Sequence, residues 1–427
     1  MEELVKEALD LRKVGLYDQA VDTLGEYCSK NPDDLDMKTT LNAWKREIFS
    51  YSWAMSRKDK NRSSSDANFG KWSHVKELFN YKSGKIVPSF LPNIPSMISA
   101  GDILIAPHPS MNSFIGVWQN DGTMIKGDFI LPDRLSYASS PIYIDPFVFF
   151  AVNGCIFRLT ITSSLLINPV LEDRMIELID YCSPVAYENL VIFGFKRTIL
   201  IYCLDGKYTF IDLELSKDDD FLRSSVIFEK KPVFLSGYGE IIMVDDGKIK
   251  RLNEPFSDCL CSAPVLFSER LYFEVVSFDG KRMVASYDIL KNSLVMDEIK
   301  DEVCSQDHIH LNFPPVVFKD GIIISGDIGP QLYYIKESGD KLSILPIELD
   351  IKTGQYTLHQ FSHILSTILG EKLVGKCPGG FFFFDISTRD GKIEIFKHKT
   401  DVVSQPLIRG DRIFFLTLDG IVGYKVL

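Results

Sequence analysis

The sequence predicts a mainly β protein: a β-propeller of eight four-stranded blades, with seven as the alternative count, preceded by a small α-helical hairpin. Three observations predict it. The 427-residue chain is rich in strand formers, with 30 Phe and 17 Tyr, and aromatic and β-branched side chains pack well on a pleated surface. Short apolar runs recur in sets from about residue 85 onward, and most sets are led by a proline. Residues 2–31 instead place their apolar side chains at helical spacing.

The helical region comes first. Leu4, Ala8, Leu11 and Val14 recur at three- and four-residue steps, and Gly15 interrupts them. Tyr17, Ala20, Val21, Leu24 and Tyr27 resume the pattern until Pro32 and Asp33-Asp34 stop it. Two amphipathic helices joined at a glycine make a hairpin. Ala8, Gly15-Leu16-Tyr17, Ala20, Leu24 and Pro32 resemble the tetratricopeptide repeat over about 34 residues. The chain departs from that family at Tyr27, where a small residue is usual. A third helix is expected from Leu35 to about Ser50, with Leu41, Trp44 and Ile48 on one face.

A single helical pair cannot bury its apolar face unaided. The third helix, the rest of the chain or another protein must cover it. On the last reading, Tyr17, Leu24, Tyr27 and Trp44 are the candidate partner-binding residues. The helical region is taken as 1–56, a polar serine-rich linker as 57–75, and the propeller as 76–427.

In the propeller the recurring unit is Pro, a short apolar strand, a turn, a second apolar strand, a turn and a third strand. Pro184-Val-Ala-Tyr leads to Leu190-Val-Ile-Phe-Gly and Leu200-Ile-Tyr-Cys-Leu; Pro315-Val-Val-Phe leads to Gly321-Ile-Ile-Ile-Ser and Gln331-Leu-Tyr-Tyr-Ile. The units begin at 95, 141, 184, 232, 264, 315, near Ser366 without a proline, and 406. Their mean step of about 44 residues matches a propeller blade. The step from 232 to 264 is the tightest and keeps seven blades as the alternative. The last unit runs out after three strands. Residues between Lys76 and Phe90, including Lys85-Ile-Val-Pro-Ser-Phe, are expected to supply its fourth strand and close the ring.

The Pro-Val lead and third strands such as Leu-Ile-Tyr-Cys-Leu-Asp-Gly resemble the quinoprotein-like (PQQ-type) propellers over about residues 85–427. The resemblance implies the architecture. It also implies a possible quinone-dependent dehydrogenase, although many functions share this fold. The chain lacks the adjacent cysteine pair carried by many of those enzymes and their tryptophan docking motifs.

Other motifs carry little chemistry. Cys259 and Cys261 share a strand face, but two cysteines are not a zinc site. Gly370-Glu-Lys-Leu-Val-Gly-Lys376-Cys377 nearly spells a phosphate loop, yet Cys377 replaces the magnesium-binding hydroxyl and Lys372 to Val374 reads as strand. Asp307, His308 and His310 carry donors suited to a transition metal but sit in an expected inter-blade connection. Asp218-Asp219-Asp220 lacks the spacing of a calcium loop and reads as a solvated loop. No catalytic residue, metal or cofactor is expected.

The net charge of −11 argues against a general nucleic-acid binder. No secretory leader or membrane-length apolar run is evident, and free thiols at Cys155, Cys203 and Cys377 within apolar strands suit a reducing compartment. The expectation is a cytoplasmic, non-enzymatic scaffold that binds other proteins. The alternative is a propeller that binds a small molecule or acts as a quinone-dependent oxidoreductase.

Overall fold

A computed structural model describes residues 2–13, 17–41, 44, 65–66, 72–82, 96–108, 113–125, 139–152, 155–161, 165–171, 184–218, 220–303, 315–325, 331–339, 341–348, 366–377, 379–386, 393–398, 402 and 405–427. Eight β-sheets follow one another around a ring, and each is a blade of four antiparallel strands. Blade five adds Cys259–Cys261, and blade seven adds Ser65–Asp66, which runs parallel to Ile368–Leu369.

Register explains the role of the prolines. Ile98, Ile142, Val185, Val226, Val265, Val316, Thr367 and Leu407 hold equivalent places in the first strands of blades one to eight. Pro141, Pro184, Pro264, Pro315 and Pro406 immediately precede five of them. Each first strand ends its blade's main ladder on one side. Proline lacks an N–H, so it is tolerated at the start of such an edge strand.

Blade four departs from this pattern, and there the sequence-based start is corrected. Ser225 stands at the proline position, while Pro232 lies in the second strand opposite Ile227. Without a proline the first strand continues backward through Ser224 to Leu222, which pairs with Ser236. The tight step from 232 to 264 therefore came from counting a second-strand proline as a blade start. With Val226 as the reference the count is eight.

The turn joining the first and second strands is two residues long in every blade. Its first residue has positive φ in seven blades: Gly101, Glu188, Glu229, Ser268, Lys319, Gly370 and Gly410. Such turns match the twist of the strands they join. Gly370-Glu371 is one of them, and Lys372–Cys377 is a strand paired on both sides, so the phosphate-loop resemblance has no structural counterpart.

The core is divided among the gaps between blades. Phe114, Phe150 and Phe157 fill the gap between blades one and two. Phe149, Phe193 and Phe234 belong to a cluster spanning blades two to four. Further clusters join four to five, five to six and six to seven. The last holds Phe381, Phe414 and Leu104 and so links blades seven, eight and one. An unbroken circuit of buried apolar contacts is what a closed ring requires.

Closure itself uses Val75–Lys82, which pairs antiparallel with Gly420–Val426 as the fourth strand of blade eight. The closing segment thus begins ahead of the Lys85-Ile-Val-Pro-Ser-Phe run, which lies outside the described residues. The strand alternates half-buried or buried Val75 and Phe79 with exposed Lys76, Glu77, Asn80 and Lys82. Gly420 faces Lys82, and a Cβ there would collide with the carbonyl oxygen of Tyr81. Trp72, just before the strand, is buried, meets Phe383 edge-on at 4.5 Å and donates to the carbonyl of Leu369 at 3.1 Å. Arg409 ties blade eight to blade one by donating to Ser99 Oγ at 2.7 Å and to the carbonyl of Gly101, beside Asp102.

At the N-terminus, helices Glu2–Lys13 and Tyr17–Lys30 form the expected hairpin. Residues 35–41 form a third helical stretch. Asp34 caps it, accepting the N–H of Met37 at 3.1 Å. Ala8, Ala20, Leu24, Cys28, Leu41 and Trp44 make one small core. Among the described residues no helix is long and apolar enough to cross a membrane.

Candidate functional site

The first-strand starts and the turns between second and third strands lie on the same face of the ring, because neighbouring strands are antiparallel. On that face, at the junction of blades four and five, buried charge concentrates. Asp220, Arg223, Glu240, Glu274 and Arg282 are each no more than 6 % exposed. Burying so much charge is expensive unless every group is paired.

The bonds of the three carboxylates can be traced residue by residue. Asp220 Oδ2 accepts the hydroxyl of Ser236 at 2.6 Å, and Oδ1 accepts the N–H groups of Phe221 at 2.7 Å and Tyr238 at 3.2 Å. Burial pushes the Asp220 carboxyl above its ordinary range, against the pull of those donors. Ser236 Oγ in turn accepts the N–H of Glu240. Glu240 holds Arg251 at 2.5 Å and accepts the N–H of Ser216. In blade five, Ser262 Oγ accepts the N–H of Glu274, whose carboxylate takes two bonds from Arg282. Cys261 lies between the two halves, and burial drives its thiol well above the ordinary range. It is an inert packed thiol.

Blade two shows what this position needs structurally. There Ser139 Oγ accepts the N–H of Ala151 in the same way that Ser262 accepts that of Glu274. An alanine suffices for the fold. Glu274 and its partner Arg282 are therefore additions at this one junction.

Above the buried charges sit aromatic side chains. The turn of blade four, Gly237-Tyr238-Gly239, and the turn of blade five, Phe278-Asp279-Gly280, present Tyr238 and Phe278. Their rings meet edge to face, 6.4 Å apart at 86°. Phe278 is 54 % exposed, which is unusual for a phenyl ring. Lys217 Nζ lies 3.9 Å from the centre of the Tyr238 ring. Arg223 stacks on Phe221 at 4.6 Å. Arg197 fixes the loop that carries Lys217 by donating to the carbonyls of Leu215 and Lys217.

Gly239 lets this turn form. It has φ of +85°, and a Cβ there would strike the ring of Phe256. The Lys217 cation over the Tyr238 face and the exposed ring of Phe278 together suit the capture of another molecule by contact.

The residues singled out from sequence fall elsewhere. Leu24 and Trp44 are buried in the helical core, where Leu41 and Trp44 help cover the hairpin's apolar face. Tyr27 is half-buried and donates to Asp34 at 2.8 Å. Tyr17 lies in the second helix, and its side chain is outside the described set. Asp307, His308, His310 and Asp219 also lie outside the described residues. Asp220 is buried and multiply bonded, which corrects its reading as part of a solvated loop. Among the described residues no group of three or more potential metal ligands comes together.

Sequence reasoning missed Tyr238 and Phe278. Each sits in a short turn with glycine, and only the ring brings them together. A flag was nonetheless present, since an aromatic at a turn tip has no local structural reason.

No family model matches the chain, and no curated protein is similar to it. Solved structures show the fold. A europium-containing methanol dehydrogenase superposes with a TM-score of 0.61 at 9 % identity, over 87 % of this chain and 90 % of that one. The quinohemoprotein alcohol dehydrogenase from Comamonas testosteroni gives 0.58 at 10 % identity, over 89 % and 81 %. The computationally designed Ika8 protein gives 0.57 at 12 % identity, over 82 % of this chain and all of that one. The chain thus has the eight-bladed architecture of the quinoprotein dehydrogenase propellers. At these identities the likeness extends to the fold alone.

Proposed function

We propose that this chain is a non-enzymatic interaction scaffold that captures a partner protein at the junction of blades four and five. The observation that carries the reading is the pairing of exposed Phe278 with half-buried Tyr238, held on turns braced by the bonded carboxylates of Asp220, Glu240 and Glu274. Rigid aromatics over a pre-organised base are what strong interface anchors consist of. Asp220, Glu240 and Glu274 are all engaged in bonds to their neighbours, and so brace the platform. The helical region, which we read as tetratricopeptide-like, is a second place for a partner in the cytoplasm.

The test is affinity capture of cross-linked partners from native cells, quantified for the wild type, for Tyr238→Ala/Phe278→Ala, and for a chain lacking residues 1–69. The double variant should lower recovery of a specific partner at least about 30-fold, which corresponds to the loss of roughly 2 kcal/mol over the two anchors together. Unchanged recovery by the double variant refutes the assignment to this junction. The resemblance to quinone-dependent dehydrogenases leaves an oxidoreductase as the second reading. Spectral titration of the purified chain with pyrroloquinoline quinone and calcium tests it, and saturable binding would favour it over the scaffold.

A further inference from the structure

Two residues ahead of the propeller pair with blade seven from the inside. Ser65–Asp66 runs parallel to the first strand of that blade, with Ser65 beside Ile368 and Asp66 beside Leu369. The first strands of neighbouring blades approach one another in turn, from blade one round to blade seven and again from eight to one. They therefore line the axis of the ring, and the side of each that is turned away from its second strand faces the central channel. Ser65–Asp66 also lies against Val316–Phe318, the first strand of blade six. The chain's own backbone thus stands in the channel, beside blades six and seven.

A parallel pair has one direction. Every first strand starts on the face that carries Tyr238 and Phe278 and ends at a turn on the opposite face. In blade seven Ser366 is at the Tyr238 side of the ring, and Gly370-Glu371 is at the other. Ser65–Asp66 runs the same way, so the chain comes in from the Tyr238 side. Trp72, the next described residue, is at the far side: its indole donates to the carbonyl of Leu369, the last residue of the strand. Lys372, just past the turn, holds its ammonium 4.7 Å from the centre of the Trp72 ring. From there Val75 enters blade eight opposite Val426, whose N–H donates to the carbonyl of Asp411 in the opposite-face turn.

We propose that the chain threads the ring along its axis, that the helical hairpin emerges over the face bearing Tyr238 and Phe278, and that hairpin and aromatic pair bind one and the same protein partner. The partner assignment rests on the reading given above. The surface nearest the channel mouth on that side is the set of turns that presents the two aromatics. A partner held at those turns meets the hairpin without a second diffusional encounter, and two linked contacts on one partner strengthen each other through effective concentration. The hairpin has apolar surface left for this once its own core is formed: Leu9 is 44 % and Leu35 71 % exposed.

Lysines test the route. Lys6, Lys30 and Lys38 lie in the helices, Lys217 and Lys281 on the Tyr238 face, and Lys230 and Lys319 in turns between first and second strands on the opposite face. A bis-succinimidyl cross-linker applied to the purified full chain should join the helix lysines to Lys217 and Lys281 in preference to Lys230 and Lys319. Ser65→Pro/Asp66→Pro removes both N–H donors of the paired segment and should abolish that preference. Links chiefly to Lys230 and Lys319, or a preference that the proline variant retains, overturn the proposal. Partner capture tests the shared interface. Leu9→Glu/Leu35→Glu should lower recovery about fivefold for the same protein that Tyr238→Ala/Phe278→Ala loses, the scale of contacts worth about 1 kcal/mol. Unchanged recovery of that protein by the leucine variant, or loss of a different protein, overturns the shared interface while the reading of the aromatic pair stands. If the aromatic variant loses no protein, that reading fails, and the shared interface with it.

Discussion

Arg282 donates to Glu274 through Nε at 2.9 Å and through a terminal nitrogen at 2.5 Å, and neither side chain reaches solvent. Removing one member leaves the other charged and unpaired in the interior. Glu274→Ala should therefore cost about 3–5 kcal/mol. Replacing both, as Glu274→Leu/Arg282→Met, should recover most of that loss, because an apolar pair of similar volume often matches a buried ion pair. Urea unfolding of the three variants measures it. Equal destabilisation by the single and double changes would contradict the account.

The carboxyl of Asp220 is raised by burial, whereas that of Asp320 is lowered to about 2 by bonds from Lys336 and Tyr334. The signs are opposite. Asp220 contributes stability that is present below the ordinary carboxylate range and is lost as pH rises through its native value. Asp320 contributes stability present above that range and lost as pH falls toward 2. Asp220→Asn should accordingly flatten the decline in stability above about pH 4. Asp320→Asn should flatten the decline on the acid side. Melting temperatures across pH 2–7, written as differences from wild type, separate the two.

Tyr287 is buried, donates to the carbonyl of Leu252 at 3.0 Å, and has its phenol pushed up to about 12 by burial. The unfolded chain ionises near 10, so the contribution is whole below that value and disappears as pH climbs through about 12. Tyr287→Phe should cost about 1 kcal/mol at neutral pH through the lost hydrogen bond. It should also lose less stability than wild type between pH 10 and 12, by up to roughly 2–3 kcal/mol. A variant with an unaltered alkaline limb would count against this.

Gly420 is the residue at which the ring closes against Lys82. A methyl group there meets the Tyr81 carbonyl, which belongs to backbone and cannot step aside. Gly420→Ala should destabilise by about 1–3 kcal/mol, the usual range for overpacking. It should also raise amide exchange in residues 75–82 well ahead of exchange in blade three. Uniform acceleration around the whole ring would show that closure is not the weak point.

Much of the propeller was legible because its edges carry a chemical mark. Five blades announce their first strand with a proline, a residue that edges accept and central strands reject. The mark failed where Ser225 replaced it and Pro232 offered a false start one strand later. The closing strand was only approximately legible. Val75–Lys82 is polar on one side and does not stand out beside the more apolar runs around it. The helical residues behaved as a period of 3.6 requires, with Ala8, Ala20 and Leu24 turned inward. Nothing local, however, tells whether Leu41 and Trp44 or another protein covers that face. The candidate site was the least legible part. Tyr238 and Phe278 lie 40 residues apart in different turns, and only the angular step between blades makes them neighbours.

The closing ladder also bears on synthesis. Residues 75–82 leave the ribosome hundreds of residues before Gly420–Val426 exist to receive them. Through that interval the strand is an orphan, and the ring of Phe79 has no Phe414 to rest on. Nascent chains, and chains that stop short of residue 420, therefore display a sticky amphipathic strand that chains reaching Val426 conceal. Surveillance by chaperones or proteases needs only that strand to distinguish an open ring from a closed one.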